Sequence, residues 1–439
     1  MKSFHLRKLI TKDVLHTGFT NVLRLFSAPL LIILISHFLT KEMQGYWYSF
    51  ISLSALSVFA DLGFTSIVMQ FAAHEYAFIN FDKYMRFQGN QIYINRISSL
   101  FKFVLKFSIK AVIITYPIIF LIGYVIMNKE QTSFNWIYPW LIYIISSGIL
   151  FFLNIITSFF EGCNQISKIQ RINLVCVIVN FFIVTISFYL KIYLYALALG
   201  ALFQCIVRFI FIITYYNKTI IQIFSLSNFD FNWSSQIFKL LSKYSVSFIS
   251  GYFVFQLFTP VSFRFYGSVF AGKIGMTINL VMAIYSFSSI WIYVVTPKIN
   301  MLVSAKKWKY LNLLFKKNMY LSILTYVSGA LLLILMLFIF PQLSAFQNRL
   351  LNKANLILLI IAWLCQLIIN GFAIYLRAFK EEPLVKLSLF SGIFILISTI
   401  FIGTYLPSNF IFIGFFVTFF WALPFIYNLY VHKRTSQLN

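Results

Sequence analysis

Arg24 is the residue whose type and position raise the clearest chemical question in this sequence. It lies in an apolar stretch that runs from Val14 to Leu39, and an arginine at the centre of a membrane-spanning helix costs about 2.5–3.5 kcal/mol on insertion scales. Thr17 and Asn21 precede it at spacings that place all three residues on one helix face. A guanidinium can hold a phosphate through two parallel hydrogen bonds. The pattern therefore predicts an anion-binding site at Arg24, with Asn21 and Thr17 beside it.

Asp61 is the other charge that lies deep in the first two apolar runs, at the end of a polar stripe of serines. Two interpretations of Arg24 follow: it pairs with Asp61, or it binds an anionic ligand, which is the interpretation we favour. Arg208 and Arg264 lie nearer to the ends of their apolar runs. Snorkelling of these guanidinium groups to the membrane interface explains them about as well as ligand binding does, although Arg264 follows Pro260 by one turn.

Polar side chains recur at helical spacing in several later apolar runs. In the eighth run, Asn279, Tyr285 and Ser289 are candidates for contact with a polar substrate. Each stripe has two explanations, because Ser, Thr and Asn also join neighbouring membrane helices by hydrogen bonds. The alternative is a shared water-accessible cavity. Comparable stripes are Ser147, Asn154, Ser158 and Glu161; Asn173, Asn180 and Ser187; and Gln366, Asn370 and Arg377.

The composition identifies the kind of element that positions these residues. Apolar residues make up 61% of the 439 positions, charged residues only 10%, and mean hydropathy is +0.87. A soluble domain needs more polar surface, so the composition indicates an integral membrane protein. The net charge of +25 does not indicate nucleic-acid binding, because the bases are scattered among apolar runs. No Cys/His cluster has metal-ligand spacing, and we expect neither a metal nor a cofactor.

Twelve apolar runs are long enough to be membrane-spanning helices. With both termini in the cytoplasm, 26 of the 35 Lys and Arg residues fall on the cytoplasmic side and six on the outer side, as the positive-inside rule requires. The expected spans are residues 14–39, 45–72, 104–127, 136–160, 172–190, 193–216, 243–267, 274–297, 319–341, 353–376, 384–404 and 408–431.

The spans divide into two groups of six. The predicted fold is an all-α polytopic membrane protein with two six-helix lobes, 1–216 and 243–439, around a central cavity and joined by a cytoplasmic connector, 217–242. Pro29 and Pro260 interrupt the first span of each lobe, as in transporters built from repeats. The long cytoplasmic connections, 73–103 among them, mix bases with aromatics, and we expect amphipathic surface helices there.

The sequence resembles the O-antigen (Wzx-type) flippases, polysaccharide biosynthesis proteins of the multidrug/oligosaccharidyl-lipid/polysaccharide exporter superfamily. The motifs that carry the resemblance are "LTKEMQGYW" after the first span, "DLGF" late in the second, "EGCNQISKIQRIN" after the fourth and "GKIGMTINLVMAIYSFSSIWIYVVTPKIN" in the eighth. The resemblance implies translocation of a polyprenyl diphosphate-linked oligosaccharide to the outer leaflet of the bacterial inner membrane by alternating access. It implies that Arg24, and less directly Arg264, holds the diphosphate, and Asp61 is the candidate for coupling to an ion.

Two other functions stay open. A drug or small-molecule exporter of the same fold is one, although the base in the first span counts against it because multidrug members commonly carry an acid there. A membrane polysaccharide polymerase, ligase or glycosyltransferase is the other. No HExxH, GxSxG or DxD motif occurs and the predicted outer loops are short, so we expect no catalytic residue. The expected partners are the lipid-linked oligosaccharide, membrane lipids and other polysaccharide-assembly membrane proteins, with no nucleic acid.

Overall fold

The part of the chain that the structure describes is built from helices, with one short β-hairpin. The computed structural model describes residues 29–226, 231–339, 344–379 and 384–436. Within these residues nine helices are long and apolar enough to cross a membrane, and ten if the bent pair Lys41–Asp61 and Phe64–Tyr76 is one span. The predicted class, an all-α polytopic membrane protein, is confirmed.

The elements are named here in chain order. The first half contains α1 (Pro29–Phe38), α2 (Lys41–Ser54), α3 (Val58–Asp61), α4 (Phe64–Tyr76), β1 (Ile79–Phe81), β2 (Phe87–Gly89), α5 (Gln91–Met127), α6 (Ile137–Gly162), α7 (Ile166–Tyr189) and α8 (Tyr195–Ser225). The second half contains α9 (Trp233–Phe255), α10 (Phe258–Tyr266), α11 (Ser268–Ser304), α12 (Trp308–Ile339), α13 (Ser344–Gln347), α14 (Lys353–Arg377), α15 (Val385–Tyr405) and α16 (Ile413–Thr435).

The seventh expected span is divided into two helices, and most of the first expected span cannot be compared with the structure. Most of 14–39 lies outside the described residues, whereas 243–267 is divided, because α9 ends at Phe255 and α10 begins at Phe258. Pro260 therefore lies in the first turn of α10 rather than inside a continuous helix. Its missing N–H removes no intrahelical hydrogen bond at that position.

The connection 73–103 forms a hairpin, so the amphipathic surface helix expected there is wrong. The strands β1 and β2 pair antiparallel, with Asn80 opposite Gln88. The Asp82 carboxylate closes the turn by accepting hydrogen bonds from the backbone N–H groups of Tyr84 and Arg86, each at 2.8 Å. An Asp that binds the backbone two residues ahead favours a turn over a helix.

The hairpin is fixed to the end of α8 by Gln222. The Phe87 N–H donates to Gln222 Oε1 over 2.7 Å, and Gln222 Nε2 donates to the Phe87 carbonyl over 2.9 Å. The other long connections also lack separate surface helices in their described residues. There the spanning helices themselves are longer than predicted: α8 continues to Ser225 and α11 to Ser304.

The chain divides into two compact units. The described residues of 1–34 and 53–248 form the first, and those of 35–52 and 249–439 form the second. Most of α2 therefore belongs to the second unit, and one unit boundary lies inside α9.

Small residues bring α2 and α11 together in the second unit. A Cβ on Gly45 would lie 2.0 Å from the Ser268 carbonyl oxygen, and one on Gly275 would lie 2.3 Å from the Tyr48 Cβ. Close approach of this kind is how membrane helices gain van der Waals contact, since lipid provides no hydrophobic drive between them. The "MQGYW" and "GKIGM" segments, separated by more than 220 residues (Gln44 to Gly272 is 228), are thus packing partners.

Arg349 and Gln44 join this packing to the end of α1. Gln44 is buried and donates to the Gly272 carbonyl over 2.9 Å. Arg349 donates from Nη1 to Gln44 Oε1 over 3.1 Å and from Nη2 to the Leu39 carbonyl over 2.7 Å. Because Leu39 directly follows α1, the guanidinium satisfies a carbonyl at a helix end that has no intrahelical partner.

Candidate functional site

Three of the predicted binding residues, Arg24, Asn21 and Thr17, lie outside the described residues. The anion site at Arg24 therefore stays a prediction. Asp61, Arg264, Asn279, Tyr285 and Ser289 are described.

The predicted residues of the second unit have mainly local partners. Asn279 is exposed and donates its amide to the Gly275 carbonyl over 2.8 Å. Ser289 is buried and its hydroxyl donates to the Ser286 carbonyl over 2.9 Å. Tyr285 makes an edge contact with Trp363, with ring centroids 5.0 Å apart.

These side chains do not form one continuous face. On α11, Tyr285 and Ser289 lie about 40° apart and Asn279 lies about 120° away from Tyr285, at 100° per residue. Arg264 is an exposed residue in the last turn of a different helix, α10. Their role as substrate ligands stays a prediction.

A polar cavity of about 700 Å³ lies in the first unit. Its walls come from the α3–α4 junction and from α6, α7 and α8, which are apolar spans elsewhere along their length. The polar and charged residues that line it are Ser57, Asp61, Thr65, Ser66, Asn154, Thr157, Ser158, Glu161, Asn173 and Arg208. We call this set the polar cavity.

Asp61 is placed at the cavity by a break in the bent span. Leu62 and Gly63 adopt positive φ angles of 47° and 88°, and the helix segments on either side meet at 46°. Asp61 Oδ1 accepts from the Thr65 N–H over 3.0 Å and also from the Thr65 hydroxyl. The carboxylate thus caps the start of α4, where the helix dipole favours a negative charge. The "DLGF" motif is the sequence signal of this break.

Glu161 reaches the same cavity from the end of α6. Gly162 brings α6 close to α4, because a Cβ there would lie 2.4 Å from the Met69 carbonyl oxygen. The Glu161 carboxylate accepts a long hydrogen bond of 3.4 Å from Gln170 Nε2. One turn earlier, the hydroxyl of Thr157 donates to the Asn154 carbonyl over 2.9 Å.

Arg208 supplies the positive charge of the cavity, and snorkelling does not explain it. It is 4% exposed, and its Nη2 donates to Asn173 Oδ1 over 2.8 Å. Its Nε atom is buried without a hydrogen-bond partner among the described residues. Arg208 and Glu161 interact electrostatically.

The structure thus brings together members of three stripes that the sequence left open between helix packing and a cavity. Asp61, the Asn154–Ser158–Glu161 face and Asn173 share one polar space. Sequence reasoning left Arg208 open between snorkelling and ligand binding, although a signal was present. Arg208 lies 13 positions after the start of α8, a helix of 31 residues whose most apolar 18-residue window has a mean hydropathy of 2.3, and a position so far from both helix ends does not favour snorkelling.

The chemistry of the cavity is that of a polar binding space with two carboxylates and one guanidinium. Among the described residues, no group of three or more His, Cys, Asp or Glu side chains could hold a metal ion. Hydroxyl, amide and carboxylate oxygens are suited to hydrogen bonding and to holding a proton or an alkali cation.

The sequence matches no protein-family model and no curated protein. Solved structures do share the fold. A MATE multidrug transporter, DinF-BH, aligns with a TM-score of 0.65 and 12% identity over 100% of this chain and 99% of that one. The lipid II flippase MurJ, in an inward closed conformation, aligns with a TM-score of 0.61 and 14% identity over 97% of this chain and 90% of that one.

A third similar structure is a MOP superfamily transporter from Pyrococcus furiosus, described as having a reversed polarity of its binding pocket. It aligns with a TM-score of 0.54 and 12% identity over 97% of this chain and 96% of that one. At such identities the likeness concerns the fold. The chain therefore has the fold of the multidrug and lipid-flipping transporters of this superfamily.

Proposed function

We propose that the protein translocates polyprenyl diphosphate-linked oligosaccharide repeat units from the cytoplasmic to the outer leaflet of a bacterial inner membrane. The observation that carries the proposal is the polar cavity, a charged space inside a unit of apolar helices. Moving the hydroxyl-rich sugars of such a head group through hydrocarbon is costly, and the hydroxyl and amide side chains of the polar cavity offer hydrogen bonds that lower that barrier. The fold, which MurJ shares, supports the same function.

We assign binding of the diphosphate and coupling to an ion to two different sites, because the charges at the two sites differ. The polar cavity holds two carboxylates against one guanidinium, a balance that does not suit a diphosphate. We therefore assign the diphosphate to Arg24, with Asn21 and Thr17, and with Arg264 as a second contact. Asn279, Tyr285 and Ser289 contact the sugars. Asp61, which caps the start of α4 and lines the cavity, is assigned to coupling with an ion.

The orientation follows from the distribution of bases. Both termini are placed in the cytoplasm, because that arrangement puts 26 of the 35 Lys and Arg residues inside. Transport proceeds by alternating access, with the prenyl tail remaining in lipid. In this proposal the partners are the lipid-linked oligosaccharide, the surrounding lipids and other membrane proteins that assemble surface polysaccharide.

The test is flipping of a labelled polyprenyl diphosphate oligosaccharide in liposomes that contain the purified protein. We expect the wild type to move the lipid, and Arg24→Gln to reduce the rate by about tenfold or more. The estimate follows because a charge-assisted hydrogen bond contributes about 1.5–3 kcal/mol, and 1.4 kcal/mol is a factor of ten.

Arg86→Gln is the matched control, because Arg86 is an exposed residue of the hairpin turn. Both variants must give the same monodisperse yield as the wild type. If Arg24→Gln flips as fast as Arg86→Gln, Arg24 does not bind the diphosphate. If the wild type moves no such lipid, the proposed function is wrong.

A second candidate function is export of lipophilic cations, and the two carboxylates of the polar cavity favour it. The same fold occurs in MATE multidrug transporters. Counterflow of radiolabelled tetraphenylphosphonium in the same liposomes tests this function. Uptake that needs both Asp61 and Glu161, together with no flipping of the lipid-linked oligosaccharide, would favour the exporter.

A further inference from the structure

A second cavity, of about 860 Å³, is lined by residues of the second unit only. It is a groove between the start of α12 and the end of α16. Its cations are Lys309, Lys316 and Lys317 of α12 and Arg434 of α16. We call these residues the basic groove.

The cations of the basic groove have no carboxylate partner among the described residues. Glu42 is the one acid of the second unit that the structure describes. Arg434 Nε is buried without a hydrogen-bond partner in the same part of the chain. A buried donor that lacks a partner costs free energy, so the groove is suited to an anion with several acceptor oxygens.

The walls of the groove are held in place by packing beneath it. Phe315 of α12 lies against Tyr430 of α16, with ring centroids 5.6 Å apart. Asn312, which lines the groove, accepts from the Tyr375 hydroxyl over 2.9 Å through Oδ1, which leaves its NH2 group as a donor. The groove is therefore formed before any ligand arrives.

The same helix face changes from basic to apolar along its axis. Leu313 and Tyr320 lie among and just beyond the lysines in the groove, and both are more than 60% exposed. The exposed Leu324 follows one turn later, about 12 Å along the axis from Lys316 at 1.5 Å per residue. A phosphate among the lysines would leave its acyl chains against these apolar side chains.

We infer that the basic groove binds the phosphate head group of an anionic diacyl phospholipid of the cytoplasmic leaflet. The bases of this end of the unit are on the side that the positive-inside rule assigns to the cytoplasm. Basic pockets between spanning helices on that side recognise anionic head groups. An acidic peptide would bind the cations but would bury no acyl chain against the exposed apolar side chains Leu313 and Tyr320. The inference does not depend on the transported substrate.

The experiment compares retention of dioleoylphosphatidylglycerol and dioleoylphosphatidylcholine by the delipidated protein in detergent. Native mass spectrometry counts the bound lipid, and the thermal midpoint reports its effect. We expect the wild type to retain phosphatidylglycerol and to be stabilised by it, but not by phosphatidylcholine. Each base near an anionic surface strengthens binding about fivefold, so the triple variant K309Q/K316Q/K317Q should bind about a hundredfold more weakly.

The matched control is K106Q/K110Q/K239Q, which removes the same charge from three exposed lysines of the first unit. R434Q tests the buried donor separately if the triple variant folds poorly, and R434K should bind better than R434Q.

Equal loss of phosphatidylglycerol from the control and the groove variant would overturn the inference, since the effect would be one of net charge. Equal stabilisation by inorganic phosphate or glycerol 3-phosphate would also overturn it, by showing a site for a free anion. Binding of a Glu-rich peptide in place of the lipid would do the same. Glu381 and Glu382 provide one more check. If the lipid bound only to the variant E381Q/E382Q, the groove of the wild type would be occupied by these two carboxylates, and the inference would be wrong.

Discussion

Arg208 donates from Nη2 to Asn173 Oδ1 across 2.8 Å, from one apolar helix of the first unit to the next. Asn173→Ala removes this acceptor and leaves a buried guanidinium with one fewer partner. We expect the variant to be about 1–3 kcal/mol less stable, the cost of an unsatisfied buried donor. The thermal midpoint of the purified protein in detergent measures the loss.

Asn154→Ala is the control for this change, because Asn154 lines the same cavity but is exposed. It should leave the midpoint nearly unchanged. Equal midpoints for the two variants would show that the contact between Arg208 and Asn173 contributes nothing to stability.

Asp61 has a structural and a proposed transport role, which two substitutions separate. Asp61→Asn keeps an acceptor for the Thr65 N–H but removes the charge, whereas Asp61→Ala removes both. We expect Asp61→Ala to lower stability by about 1 kcal/mol through loss of the helix cap. Asp61→Asn should keep the midpoint but lose the stimulation of transport by a proton or sodium gradient. Gradient-stimulated transport that survives in Asp61→Asn would remove this residue from ion coupling.

Gly45 cannot accept a side chain without movement of α2 or α11. The added Cβ of Gly45→Ala would lie 2.0 Å from the Ser268 carbonyl oxygen, and overpacking of this kind costs about 1–3 kcal/mol or more. We expect a lower yield of monodisperse protein on size-exclusion chromatography and a lower midpoint.

Gly251→Ala provides the comparison, since the nearest atom to its Cβ is 4.0 Å away. Alanine forms helices better than glycine by up to about 1 kcal/mol. Gly251→Ala should therefore be neutral or stabilising, and a similar loss in both variants would mean that Gly45 is not a packing residue.

Gln222 should control how often the hairpin opens. Gln222→Ala removes both hydrogen bonds to the Phe87 backbone, a loss of about 1–2 kcal/mol. Opening should then be about 5–30 times more frequent. Limited trypsin digestion, with mass spectrometry of cleavage at Lys83 and Arg86, measures this rate.

Gln91→Ala is the control for the hairpin, because its amide bonds Asn95 one turn ahead on the same helix, over 3.0 Å. Cleavage in this variant should match the wild type. Unchanged cleavage in Gln222→Ala would show that Gln222 does not hold the hairpin and that other contacts do, such as the hydrogen bond from the Thr219 hydroxyl of α8 to the Met85 carbonyl.

Much of the fold was predictable because hydropathy acts locally. Nine of the twelve expected spans correspond to long apolar helices, since about 20 apolar residues in a row satisfy both the bilayer thickness and the backbone hydrogen bonds. The connections were less predictable. The attachment of the hairpin to α8 depends on Gln222, a side chain 135 positions away from Phe87, and no local pattern contains that contact.

The candidate site was also predictable only in part. Helical spacing placed Asp61 and the α6 residues Asn154, Ser158 and Glu161 on polar faces, but it left helix packing and a cavity as two open explanations. In the first unit these residues line one cavity, and Arg208 and Asn173 of that cavity also join α8 to α7 by a hydrogen bond. On α11 it shows that Asn279 and Ser289 bond carbonyls of their own helix.

By itself, the sequence determined the all-α polytopic class and the positions of most spans, because the free energy of inserting a helix is a sum over its own residues. Only the tertiary structure decided which polar faces meet, that Arg208 is buried against Asn173, and that α2 packs on α11. The physical reason is that these features depend on contacts between helices. Backbone approach at glycine and satisfaction of buried donors are properties of two surfaces together.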